Sequence, residues 1–143
     1  MTIQYQGPNG YTIENPNIED LRANMIESFP DYWHQGHGSA IIDYSSEENG
    51  QFSLIVSVDD VYGIYLKFCV EKGGLVSEEW LSVENPSLMD THIECADEWY
   101  ASAGLFLPLE KAWTGIKYFF ETGERSPDIE WRNTFDMPEG SNW

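Results

Sequence analysis

The sequence predicts an α+β fold, an antiparallel meander-like sheet with two amphipathic helices packed on one face. Three observations predict it. Consecutive stretches alternate apolar and polar residues with the two-residue period of half-buried strands, and a short turn-like link joins two of them. Two other segments repeat apolar residues at helical spacing. Strands and helices are segregated along the chain, without the regular alternation of a parallel α/β sheet.

In chain order, Ile18, Leu21, Met25, Ile26 and Phe29 predict a helix over 17–29; Asn15 before Pro16, or Asn17 itself, can cap it, and Pro30 stops it. A strand is expected over 39–44. In 51–58, Phe52, Leu54, Val56 and Val58 form one face, and in 63–70 Ile64, Leu66, Phe68 and Val70 do the same. Asp59-Asp60-Val61-Tyr62 suits the hairpin between them. A further strand over 79–83 is ended by Asn85-Pro86. Leu109, Ala112, Trp113, Ile116, Phe119 and Phe120 define a second helix over 109–122, entered through Pro108 and left at Gly123. A last strand over 128–132 puts Ile129 and Trp131 on one face, and a loose tail follows Phe135.

The 143 residues, with no repeat or low-complexity linker, suit a single domain over 1–143; 41 % apolar and 15 % aromatic content argue against disorder. Against 25 acidic residues stand only 7 basic ones, a formal net charge of −18 spread along the chain. Such a field disfavours nucleic acid and anionic membranes and steers basic partners inward, although solubility alone would equally account for acidity. Cys69 and Cys95 make no disulfide framework, and Cys69, in an alternating run, reads as a buried free thiol. The start Met1-Thr2-Ile3-Gln4-Tyr5 lacks the basic and apolar regions of a signal peptide, and no apolar run reaches membrane-spanning length. Together these predict a cytoplasmic protein.

Catalytic motifs find no support. His92-Ile93-Glu94 matches half of the zinc-deaminase signature, but the Pro-Cys-x-x-Cys half is absent. His34-x-x-His37 with His92-x-x-Cys95 has a conceivable zinc spacing; its glycine-rich surroundings suggest solvated loop histidines instead. No nucleophile elbow or phosphate-cradling glycine pattern occurs. The reading is a protein that is not an enzyme, with no cofactor and no metal.

One pattern recurs. Acidic pairs precede aromatics in Asp59-Asp60-Val61-Tyr62, Glu78-Glu79-Trp80 and Asp97-Glu98-Trp99-Tyr100, with Asp31-Tyr32-Trp33 a weaker fourth case. Carboxylates around aromatic anchors suit a basic partner surface, the aromatics giving contact area and the charges encounter rate. The candidate contact residues are Asp59, Asp60, Tyr62, Glu78, Glu79, Asp97, Glu98, Trp99 and Tyr100. An inward core position is favoured for Trp80; Trp99 and Tyr100 fit core or interface.

From Leu107-Pro108-Leu109-Glu110-Lys111-Ala112 through Phe119-Phe120-Glu121-Thr122-Gly123-Glu124-Arg125-Ser126-Pro127-Asp128-Ile129-Glu130-Trp131, the chain resembles the first-numbered immunity-protein family of bacterial polymorphic toxin systems. There a similar helix runs into a Thr-Gly-x-Arg-x-Pro turn and a short strand with Trp. The resemblance covers this C-terminal part. It implies an α+β binding protein of bacterial cytoplasm, often paired with deaminase-fold toxins acting on nucleic-acid bases. The matched residues themselves read as scaffold: Gly123 ends the helix, Pro127 prevents its continuation and Trp131 supplies core area. The expected function is an immunity protein that binds a cognate basic toxin domain one to one and occludes its active site, the free chain being monomeric. The alternatives are another acidic protein-binding module or a nucleic-acid mimic.

Overall fold

Side-chain alternation along the strands decides how this molecule is layered. The computed structural model describes residues 2–46, 50–95 and 100–137. In chain order its elements are β1 (Thr2–Gln6), β2 (Thr12–Glu14), α1 (Ile18–Arg22), β3 (Ser39–Ser46), β4 (Gly50–Asp59), β5 (Gly63–Lys72), β6 (Leu75–Val83), β7 (His92–Glu94), β8 (Tyr100–Ser102), α2 (Leu109–Thr122) and β9 (Glu130–Asn133). Seven strands form one antiparallel sheet in the order β2-β1-β3-β4-β5-β6-β9, and β7 pairs with β8 in a separate hairpin. The stretch from β3 to β6 is a meander.

The register places Phe52 opposite Val70, Leu54 opposite Phe68, Val56 opposite Leu66 and Val58 opposite Ile64. These residues, with Ala40 and Ile42 of β3, share one core with Leu21 of α1 and with Ala112, Trp113, Ile116 and Phe119 of α2. Both helices therefore cover the same sheet face. Arg22 ties them together: it bonds Glu110 at 2.8 Å and lies 5.6 Å from the centre of the Trp113 ring. The opposite parity puts Tyr65, Leu81 and Val83 on the other face, where they pack with Ala101, Leu105 and Phe106 in a second, smaller core. Met89, Ile93 and Cys95 flank it, so the β7–β8 segment lies against this second face.

Local chemistry sets the element ends. Asn17 caps α1 by accepting from the N–H groups of Glu19 and Asp20 at 2.8 and 3.2 Å. The predicted helix over 17–29 forms in two pieces. After α1 it widens into a π-turn over Ala23–Glu27, in which Ser28 N–H reaches the Ala23 carbonyl at 3.0 Å and both Met25 and Ile26 are buried. α2 has the bounds its periodicity predicts. Gly123 ends it in the left-handed conformation, φ 75°, where a Cβ would stand 2.8 Å from the Tyr44 ring.

Other expectations are corrected. The strand predicted over 79–83 begins at Leu75, and the last strand begins at Glu130, because residues 126–129 form a turn in which Ile129 N–H bonds the Ser126 carbonyl. β1, β2, β7 and β8 were not predicted. After Phe135, Met137 bonds back to Thr134 and packs against the second core, and the remainder of the expected tail lies outside the described residues. Among the described residues no helix is long and apolar enough to cross a membrane.

Candidate functional site

The β4–β5 turn is built by its own first acid. Asp59 Oδ2 accepts from the N–H groups of Val61 and Tyr62 at 2.9 and 3.0 Å, an arrangement only a short side-chain acceptor at this position can make. This fixes the turn and projects Val61, which is 85 % exposed, with Tyr62, 41 % exposed, leaning toward Phe106 at 6.4 Å between ring centres. Asp60 faces the loop after Trp33: His34 Nε2 lies 2.8 Å from both carboxylate oxygens. That bond, and next the Asp60 charge, raise the His34 pKa above its ordinary value.

Strand β7 completes this end of the molecule. Trp33, Val58, Asp59, Asp60, Glu94 and Cys95 line one cleft of about 310 Å³. Tyr100, 48 % exposed, pairs with Glu94 across the hairpin. Thus Asp59 and Asp60 of the first predicted cluster share the cleft with Glu94, which is not among the predicted contacts, and Tyr100 of the third cluster is the cross-strand neighbour of Glu94, whereas Tyr62 leans toward Phe106. Asp97, Glu98 and Trp99 lie outside the described residues.

The middle cluster does not join this surface as a unit. Glu78 and Glu79 are successive residues of β6 and point to opposite sheet faces. Glu78 Oε1 accepts from Trp80 Nε1 at 3.1 Å on the helix-covered side, whereas Glu79 is 3.6 Å from Lys67 Nζ on the other. Trp80 packs half-buried against the main core, opposite Phe68, which agrees with the inward position favoured for it. In the fourth cluster Trp33 is 2 % exposed and donates to the Met25 carbonyl at 3.1 Å, while the Tyr32 hydroxyl bonds that of Tyr5 at 2.6 Å. Those rings are scaffold.

Neither thiol has the environment of a nucleophile. Burial, and then the Asp59 charge, push Cys95 up to about 11; burial, and then Glu79, raise Cys69. His34 is exposed in its loop, as expected, and is also bonded to Asp60, and His92 is exposed at the start of β7. Among the described residues no group of three or more His, Cys, Asp or Glu is placed to hold a metal ion.

The resemblance-bearing turn after α2 has a structural use. Trp131 Nε1 donates to the Ser126 carbonyl at 2.9 Å, Asp128 N–H bonds Ser126 Oγ at 3.2 Å, and the Arg125 guanidinium lies 3.8 Å over the Trp80 ring. Comparison of the chain with protein-family models, with curated proteins and with solved structures finds no match.

Proposed function

We propose that this chain is an immunity protein, a cytoplasmic, non-catalytic inhibitor that binds a basic, nucleic-acid-targeting toxin domain one to one. The deaminase class of that toxin is what the resemblance over 107–131 implies. The observation that carries the reading is the cleft shared by Asp59, Asp60 and Glu94 in a chain of net charge −18, with exposed Val61 and Tyr62 following the two acids in the β4–β5 turn and exposed Tyr100 opposite Glu94 in the β7–β8 hairpin. Carboxylates beside exposed rings suit a surface that itself binds phosphates: the rings supply desolvated contact area, and the acids raise the encounter rate and select the partner. Occlusion then needs no turnover and no cofactor.

The test is neutralisation. The gene neighbouring this one is expressed under control in a bacterial host, alone and with this chain, and the two purified products are mixed in light scattering. The expected result is growth arrest relieved by co-expression, and a complex of one copy each. A neighbouring product that is harmless, or one whose toxicity and mass are untouched by this chain, overturns the reading.

A further inference from the structure

Among the described residues, four of the seven Lys and Arg residues reach a carboxylate: Arg22 with Glu110, Lys67 with Glu79, Lys111 with Glu84 and Lys117 with Glu121. Arg125, next to Glu124 in a strongly acidic chain, reaches none among the described residues. Its guanidinium instead lies 3.8 Å over the Trp80 ring and 5.7 Å from the centre of Phe68. Stacking uses the flat face of the group and leaves its N–H donors directed outward in the guanidinium plane. No described residue accepts a hydrogen bond from them. The residue is also firmly placed, between left-handed Gly123 and buried Ser126, whose carbonyl and hydroxyl are both engaged.

Arg125 borders a cleft, open to solvent, of about 460 Å³, a volume within the range of about 300–1,000 Å³ usual for small-molecule sites. Half-buried Phe52 and Trp131, over buried Val70 and Ile129, give it its apolar surface, and Glu78, whose Oε1 accepts from Trp80, and Glu124 add two carboxyl groups. We infer that this cleft binds a free α-amino acid with an apolar side chain. The carboxylate pairs with the outward edge of Arg125, the ammonium group with Glu78 and Glu124, and the side chain packs on the apolar lining. The charges select this class. A simple carboxylic acid satisfies Arg125 but faces two carboxylates, and a simple amine leaves the guanidinium edge unmatched; a zwitterion meets both. The inference is independent of the toxin reading, because this cleft shares no lining residue with the one at the β4–β5 turn.

The test is calorimetric titration of the full chain with L-phenylalanine, L-leucine, 3-phenylpropionate and 2-phenylethylamine. Both amino acids are expected to saturate one site, and removing either charged group from the phenylalanine skeleton is expected to weaken binding about tenfold or more. Arg125→Gln should weaken L-phenylalanine binding by a similar factor. Since Arg125 also covers Trp80, its folding is checked by circular dichroism. Glu124→Gln, at an exposed position, serves as the second variant and should reduce the preference for L-phenylalanine over 3-phenylpropionate. The inference is overturned if the unaltered protein shows no saturable binding of L-phenylalanine, if 3-phenylpropionate binds as tightly, or if folded Arg125→Gln binds as the unaltered protein does.

Discussion

His34 Nε2 stands 2.8 Å from each carboxylate oxygen of Asp60, across 26 positions of sequence. The contact joins the loop after Trp33 to the β4–β5 turn, and it gives the acidic end of the molecule a titratable charge. Because the folded-state pKa of His34 is raised, the pair's contribution to stability is complete below the unfolded value of about 6.5. It is lost as pH rises through the folded value. An NMR titration should find His34 titrating at higher pH in the unaltered protein than in Asp60→Asn. Equal values in the two proteins would show that the contact is not formed in solution.

The same titration bears on partner binding. Protonated His34 cancels part of the Asp60 charge, so a basic partner docking at this end should associate faster as pH rises through the His34 pKa. In His34→Gln that dependence should vanish. Stopped-flow association across this range reads both, provided the partner's own charge is constant over it.

Core and surface aromatics should separate cleanly in stability. Trp113 of α2 is buried in the main core with Arg22 of α1 over its ring, and Trp113→Ala should cost about 3–5 kcal/mol in chemical denaturation. Phe120 lies on the same predicted stripe but is only half-buried at its edge, so Phe120→Ala should cost less. Gly123→Ala should cost about 1–2 kcal/mol from the left-handed backbone alone, and more if the Tyr44 ring cannot give way.

How far the sequence disclosed this structure follows from the range of the forces involved. α2 was legible to the residue because its stripe, entrance and exit all lie within the segment. β1, β2, β7 and β8 were not: each has three to five residues, too few for an alternation to stand out. β1 is placed by long-range pairing, as when Tyr5 meets Ile42 of β3, and the others by pairing with short neighbours, β2 with β1 and β7 with β8. At the candidate site, Asp59, Asp60 and Tyr62 were legible because the turn is local. Glu94, His34 and the stacking of Arg125 on Trp80 depend on contacts that no local pattern encodes. The splitting of Glu78 from Glu79 is different, since strand parity alone implies it once β6 is recognised.

The thiols should behave as packed groups. With Cys95 pushed up to about 11 and Cys69 also raised, both should alkylate at neutral pH more slowly than a free cysteine peptide, and at the peptide's rate after denaturation. Native rates equal to the peptide's would contradict their partial burial.

The position of the docking face can be tested without changing the total charge between comparisons. Asp59 is unsuitable for reversal, because its carboxylate holds the turn through Val61 and Tyr62. Asp60→Lys with Glu94→Lys changes the charge by the same amount as Glu19→Lys with Glu121→Lys on the helix-covered side, all four positions being exposed. Surface reversals of this kind should leave folding nearly intact. The long-range field weakens equally in both variants, so any common slowing of association with the toxin reports net charge alone. An additional loss confined to the Asp60/Glu94 variant, with a flatter salt dependence, places those acids at the encounter surface. Tyr62→Ala should then act differently, speeding dissociation while leaving association close to unchanged, since a ring supplies contact area rather than steering. Equal association rates for the two double variants, together with an unaltered dissociation rate for Tyr62→Ala, would move the docking face away from the β4–β5 turn.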